Sequence, residues 1–213
     1  MEFDVFVNLL PKIRNLELPG EASQFKMSPP YRQELMLMQR EKMKHAKKAA
    51  VMVLFYPDIN GKTKLVLILR KTYQGVHSAQ MGFPGGKLEK EDKSLQDAAV
   101  RETEEEVGVS THLIEVHKQL TEVYIPPSNY TVYPFIGSVL STPQFLKQDE
   151  EVEEIVEIPI QYLLDDQFVS SKKVQTSYNI EVDVPAFKFG DYVVWGATAM
   201  MLSEVKDLLK QVL

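Results

Sequence analysis

The sequence predicts an α/β fold, a sandwich of helices around a mixed β-sheet. Two observations lead there. Runs rich in β-branched and aromatic residues at 49–56, 64–69, 113–124 and 131–140 read as strands on either side of one strongly periodic helix over 95–107. A second apolar-periodic helix, carrying Met200, Leu202, Val205, Leu208 and Leu209, closes the chain.

Taken in order, Phe3, Phe6, Leu9, Leu10, Ile13 and Leu16 fall at helical spacing and predict one amphipathic helix running through Pro11. Its apolar face packs on the domain or against a second subunit of a homodimer. Its polar face is too poor in Lys and Arg for a membrane surface. Residues 17–30, punctuated by Pro and Gly, read as a connecting loop. Residues 31–48 hold the basic cluster of the chain, Arg40, Lys42, Lys44, Lys47 and Lys48. A solvated helix or loop is the reading preferred, with help to an anionic ligand as the functional alternative. Residues 1–44 are thus expected as an N-terminal helical extension and 45–213 as the main domain. The first two strands are separated by Asp58-Ile59-Asn60-Gly61-Lys62, a hairpin signal because Asn-Gly accepts positive φ. The polar loop at 71–82 is long enough to be functional.

The helix over 95–107 is the centre of the chemistry. Ser94 is placed to cap its start and Gly108 to end it. At about 100° per residue, Glu102, Glu105 and Glu106 share one face while Glu104 points away. Taken alone, an acidic face is a solvated surface, since like charges at this spacing cost only about 0.2–0.5 kcal/mol per pair. What singles out this one is its company: Gly85-Gly86 just upstream, Arg101 beside the first carboxylate, and the closing glycine. Such a face supplies the carboxylate oxygens that a hard divalent cation takes together with waters and phosphate oxygens.

Beyond it, Ile125-Pro126-Pro127-Ser128-Asn129-Tyr130 is a rigid turn between strands. Tyr130 or Tyr133 either stacks on a base or, the simpler reading, is a strand residue with its hydroxyl in water. Residues 148–157 carry Asp149, Glu150, Glu151, Glu153, Glu154 and Glu157, mostly a solvated edge. Residues 173–179, 182–189 and 192–194 suggest further short strands before Trp195 opens the last helix.

With 213 residues and 44% hydrophobic composition, the chain is long and apolar enough for one well-cored domain with extensions. A net charge of −6 argues against a nucleic-acid surface, which needs a basic patch. The absence of cysteine excludes disulfides, thiolate metal sites and a cysteine nucleophile. The first residues lack the basic-then-apolar pattern of a signal peptide, and no stretch reaches the roughly 18 apolar residues of a membrane span. A soluble cytoplasmic protein acting on a small molecule is expected, with no membrane and no nucleic-acid partner.

Arg101-Glu102, Glu105-Glu106, Gly108 and Val109, preceded by Gly86, resemble the Nudix box. The spacer from Gly86 to Arg101 is one residue longer than usual, so Asp92 stands in for an acid expected at Lys93, and Thr103 replaces an aliphatic residue. Upstream, Leu69-Arg70 and His77-Ser78-Ala79-Gln80-Met81-Gly82-Phe83-Pro84-Gly85-Gly86 are similar to the segment that precedes the box in the coenzyme A diphosphatase branch, whose boxes also carry the longer spacer. Ala79 departs from that pattern, where many such sequences have glycine. The turn at 125–130 and the segment from Trp195 resemble the same branch.

The resemblance implies a Nudix-type α/β/α sandwich and metal-dependent hydrolysis of the coenzyme A diphosphate to 4′-phosphopantetheine and adenosine 3′,5′-bisphosphate. It implies Mg²⁺ or Mn²⁺ held by Glu102, Glu105 and Glu106 with the carbonyl of Gly85, Arg101 orienting the glutamates, and Glu151 positioning or deprotonating water. Arg70, His77, Gln80, Lys87 and Tyr130 become candidate substrate contacts. The competing readings are hydrolysis of ADP-ribose, NADH or a deoxynucleoside triphosphate, and a ligand-sensing module without catalysis. The upstream segment weighs against the first, and the intact glutamates against the second.

Overall fold

A computed structural model describes residues 1–71, 80–175 and 181–213. The helix predicted over 3–16 is in fact two: α1 (Phe3–Val7) and α2 (Leu10–Asn15), with Pro11 in the first turn of the second. Proline has no N–H to donate and its ring crowds the carbonyl four residues back, so it starts a helix more readily than it continues one. The apolar periodicity survives the break, and Phe3, Phe6, Leu10 and Ile13 are all buried. Short helices α3 (Glu21–Gln24), α4 (Arg32–Met38) and α5 (Arg40–Met43) follow.

The hairpin forms as predicted, between β1 (Lys47–Pro57) and β2 (Thr63–Arg70). Its loop is held by Asp58, whose Oδ1 accepts the backbone N–H of Asn60 and of Lys62 at 2.8 Å each, and turns at Gly61 with φ +72°. Next come β3 (Met81–Gly82), β4 (Gly85–Lys87), α6 (Leu95–Val107), β5 (Glu115–Gln119), β6 (Val123–Ile125), β7 (Tyr130–Ser138) and β8 (Val152–Pro159). The strand predicted over 113–124 is thus divided, β5 and β6 each pairing with a different part of β7. Strand β1 is central: it pairs antiparallel with β2 and β4 and parallel with β7, which makes the sheet mixed.

Alternation along the strands sends side chains to two faces. On one face Ala50, Met52, Leu54, Tyr56, Val66 and Ile68 pack under Ala98, Ala99 and Val107 of α6. On the other, Val53, Phe55, Leu65 and Leu67 pack against α1, α2 and the terminal helix, with the Phe6 and Phe55 rings 4.6 Å apart. After β8 the chain makes α7 (Ile160–Leu164) and a small antiparallel sheet of β9 (Val169–Gln175), β10 (Glu181–Phe189) and β11 (Tyr192–Trp195), then ends in α8 (Gly196–Lys210). β9 begins at Val169, ahead of the predicted Lys173, and the predicted end of that strand lies outside the described residues.

One buried charge ties the N-terminal segment to α8. The Glu204 carboxylate, with no exposed surface, accepts from the Thr121 hydroxyl at 2.7 Å, the Gln24 amide at 3.0 Å and the Gly20 N–H at 3.3 Å. No helix among the described residues is long and apolar enough to cross a membrane.

Candidate active site

The site is assembled by α6 and the two glycines of β4. Ser94 caps α6 by accepting the Asp97 N–H at 3.1 Å, and Gly108 ends it in the left-handed conformation, φ +75°, donating to the Glu104 carbonyl at 2.9 Å. Thr103, at a core position where the Nudix pattern has an aliphatic residue, is satisfied by its own helix: its hydroxyl donates to the Ala99 carbonyl at 2.6 Å. With the helix so placed, Glu102 and Glu106 face β4, Glu105 lies at the rim and Glu104 is exposed on the far side.

Gly85 sits opposite Val51, between the bonds Met52 N–H to Pro84 carbonyl (2.9 Å) and Leu88 N–H to Lys48 carbonyl (3.2 Å). This is the non-hydrogen-bonded register of an antiparallel pair, so both backbone polar groups of Gly85 turn away from β1. Its N–H donates to Glu106 Oε2 at 2.7 Å, and its carbonyl lies on that same side. Neither glycine has room for a side chain as its neighbours stand, Gly85 against backbone and Gly86 against a side chain that would have to move. A Cβ on Gly85, φ +153°, would lie 2.6 Å from the Val51 Cα, and one on Gly86 would lie 2.6 Å from Glu102 Oε2. The Gly-Gly pair is what lets backbone press against the carboxylates.

Arg101 is held as a fork by Asp92, Nε to Oδ1 and Nη2 to Oδ2 both at 3.0 Å, and Asp92 in turn accepts the Glu89 N–H at 2.8 Å. Asp92 therefore takes the supporting place despite its one-residue shift. The guanidinium holds the Asp92 carboxyl below the usual carboxylate range, and is itself raised by it. The remaining Nη1 reaches Glu102 at 3.1 Å and Glu105 at 2.9 Å, so one arginine fixes two carboxylates.

Glu106 is only 2% exposed, and burial pushes its carboxyl up to about 7 against the pull of Arg70 (3.3 Å) and the Gly85 N–H. Burial also raises Glu102, countered by Arg101. Arg70 bridges to Glu151, Nη2 to Oε2 at 3.7 Å, and the Glu151 carbonyl accepts the Lys71 N–H at 2.9 Å, which fixes this acidic residue at the end of β2. Arg70, Gly85, Glu102, Glu105, Glu106 and Glu151 line one acidic cavity of ≈ 510 Å³. Gln148 and Glu150 line it too, and the sequence carried no signal for the former.

Among the described residues no three Asp, Glu, His or Cys side chains converge closely enough to cage a metal ion. The reason is visible in their partners: Glu102 and Glu105 are drawn to Arg101, and Glu106 to Arg70 and Gly85. The donor set nevertheless fits a hard divalent cation. All its donors are oxygens, buried Glu106 and half-buried Glu102 are both raised, and Glu105 and Glu151 are exposed and able to turn inward.

Beside this cavity lies a second, of ≈ 600 Å³, with a largely apolar lining that includes Leu35, Pro126, Pro127, Tyr130, Trp195 and Met201. Arg70, Gly85, Gly86 and Lys87 border both cavities; Gln80 and Tyr130 border only the second. His77 lies outside the described residues. The basic cluster Arg40, Lys42, Lys44, Lys47 and Lys48 is exposed, as the solvated reading had it, but neighbouring Arg32 is buried in the wall of the second cavity. Trp195, read from sequence as the start of a core helix, is another wall residue.

The NUDIX domain family matches residues 33–176. The chain is 30% identical over 78% of its length to Nudix hydrolase 22, chloroplastic, of Arabidopsis thaliana, and 32% identical over 71% to the mitochondrial coenzyme A diphosphatase NUDT8 of Homo sapiens. It spans 56% of the length of the first and 65% of the second. Among solved structures, a Nudix hydrolase from M. smegmatis, RenU, superposes with a TM-score of 0.53 at 14% identity, covering 79% of this chain and 88% of that one. The NUDIX domain of Shewanella oneidensis NrtR, complexed with ADP ribose, superposes with a TM-score of 0.50 at 15% identity, covering 77% and 88%. These likenesses show the sandwich fold.

Proposed function

Because this chain belongs to the Nudix family, we propose that it hydrolyses the diphosphate of coenzyme A or a derivative, releasing 4′-phosphopantetheine and adenosine 3′,5′-bisphosphate. The observation that carries this reading is the pair of contiguous cavities. A diphosphate at the shared border of Arg70, Gly85, Gly86 and Lys87 meets the carboxylates on one side and leaves a bulky, partly apolar arm for the other. The relative named as a coenzyme A diphosphatase supports the same substrate.

Glu102, Glu105 and Glu106, with the Gly85 carbonyl, would hold Mg²⁺ or Mn²⁺. Such a cation, when bound, neutralises the diphosphate and acidifies water. The chain's own residues do the rest. Arg101, fixed by Asp92, orients Glu102 and Glu105, and the Gly85 N–H fixes Glu106. Arg70 and Lys87 draw the phosphates to the border between the cavities, with His77 and Gln80 as further contacts. Tyr130 offers a ring to the organic arm. Glu151 takes a proton from water as its oxygen adds to one phosphorus; the bond from that phosphorus to the bridging oxygen breaks, and the bridging oxygen leaves with the other phosphate.

The test is product analysis by mass after incubation with Mg²⁺ or Mn²⁺ and, separately, coenzyme A, ADP-ribose, NADH and a deoxynucleoside triphosphate. Release of 4′-phosphopantetheine from coenzyme A is the expected result. Turnover of another substrate alone would overturn the substrate reading, and turnover of none would overturn the enzymatic one.

A further inference from the structure

Arg32 is a buried cation whose guanidinium is only partly hydrogen-bonded. Its residue is 8% exposed; Nη2 donates to the Tyr124 carbonyl, and Nε has no hydrogen-bond partner. Among the described residues it forms no ion pair, and residues 72–79 and 176–180, which lie outside them, contain no Asp or Glu. Glu21 is a carboxylate whose charge reaches it, from beyond ion-pair distance. Burying a guanidinium without a close ion-pair partner is costly, because little makes up for the hydration it loses.

The place of this cost is informative. Arg32 lines the apolar cavity with Tyr31, Leu35 and Tyr130, and among the described residues that cavity shares Arg70, Gly85, Gly86 and Lys87 with the acidic one. The Lys47 ammonium lies 6.0 Å from the Tyr130 ring centre, a second cation near the same wall. A ligand whose diphosphate sits at the border thus presents its organic arm to a wall holding an unsatisfied guanidinium. The group that satisfies it is an anion carried on that arm, and a phosphate monoester, with its charge and several acceptor oxygens, suits a guanidinium fork best.

We propose that Arg32 recognises a phosphomonoester on the nucleoside arm of the substrate, outside the diphosphate, and so selects nucleotides that carry this extra phosphate. The inference rests on the substrate reading above, in which the only phosphate outside the diphosphate is the one on the ribose.

The experiment is calorimetric titration of the full chain with adenosine 3′,5′-bisphosphate and with adenosine 5′-monophosphate, without added metal, for wild type, Arg32→Gln and Arg32→Lys. The Gln amide can still donate to the Tyr124 carbonyl, and the ratio of two affinities on one sample is insensitive to the fraction folded. Wild type should prefer the bisphosphate by roughly 10- to 100-fold, as a charge-assisted contact predicts. Arg32→Gln should bring the two within about threefold, while Arg32→Lys, keeping charge but losing the fork, falls between. Equal wild-type affinities, no measurable binding of either probe, or an undiminished preference in Arg32→Gln would each overturn the proposal. Binding is read without turnover, so the two failures are separable. A protein that prefers the bisphosphate yet splits no coenzyme A loses the reaction and keeps this site; one that splits it without the preference does the reverse.

Discussion

Replacing Glu106 by Gln should change how the metal-free protein's stability depends on pH. Burial lifts the Glu106 carboxyl from its ordinary 4.5 to about 7, so the folded state holds this proton more tightly than the unfolded state. Stability from a group raised in this way is fully present below 4.5 and is lost as pH climbs through about 7. The rise from 4.5 to about 7, at ~1.36 kcal/mol for each pH unit, sets an upper bound of about 3 kcal/mol. For a chain of this size that corresponds to roughly 6–12 °C in Tm. Glutamine is neutral throughout, and its carbonyl can still accept the Gly85 N–H. Thermal unfolding of both proteins in chelator between pH 5 and 8 should therefore show wild type losing ground steadily to Glu106→Gln as pH rises. Added Mn²⁺ at pH 8 should recover wild type and leave the variant lower. Parallel curves across that range would refute the claim that a desolvated, proton-holding carboxylate lies at the centre of the site.

Gly86→Ala would put a methyl group against the Glu102 carboxylate, and because that side chain can swing aside, the fold should survive while turnover falls roughly tenfold or more; circular dichroism beside the product assay separates the two. Asp92→Asn removes the anionic half of the Arg101 fork, and denaturant titration should show a loss of about 1–3 kcal/mol, with kcat falling as Glu102 and Glu105 lose their common anchor. Glu204→Ala leaves Thr121, Gln24 and Gly20 without their buried acceptor and should cost about 3 kcal/mol in the same titration, with turnover at 25 °C unchanged.

What was legible beforehand was local. Helix α6 could be read because its cap, its glycine stop and its three-and-four spacing are all within a few turns of one another, and the shared face of the glutamates follows from the same geometry. The break before Pro11 was just as local, and the apolar spacing on either side concealed it. What stayed hidden depended on distant chain. The parallel pairing of β1 with β7 joins segments separated by the whole of α6, and periodicity carries no record of a partner. Asp92 looked displaced in the linear pattern, yet the loop after β4 absorbs the extra residue and still delivers its carboxylate to Arg101. Arg32 sat among lysines and arginines that are exposed, and only packing against Tyr124 distinguishes it. Gln148 has no charge or motif to announce it, and it reaches the cavity through the backbone: its N–H donates to the Glu106 carbonyl at 3.2 Å.

The central claim is that the carboxylates of α6 and the glycines of β4 split a coenzyme A diphosphate. Its most direct test is coenzyme A turnover by wild type and Glu106→Gln at saturating Mn²⁺, with the variant's fold checked by its melting curve. Wild type should release 4′-phosphopantetheine, and the folded variant should be slower by roughly 100-fold or more. A folded Glu106→Gln protein that matches the wild-type rate would contradict the account.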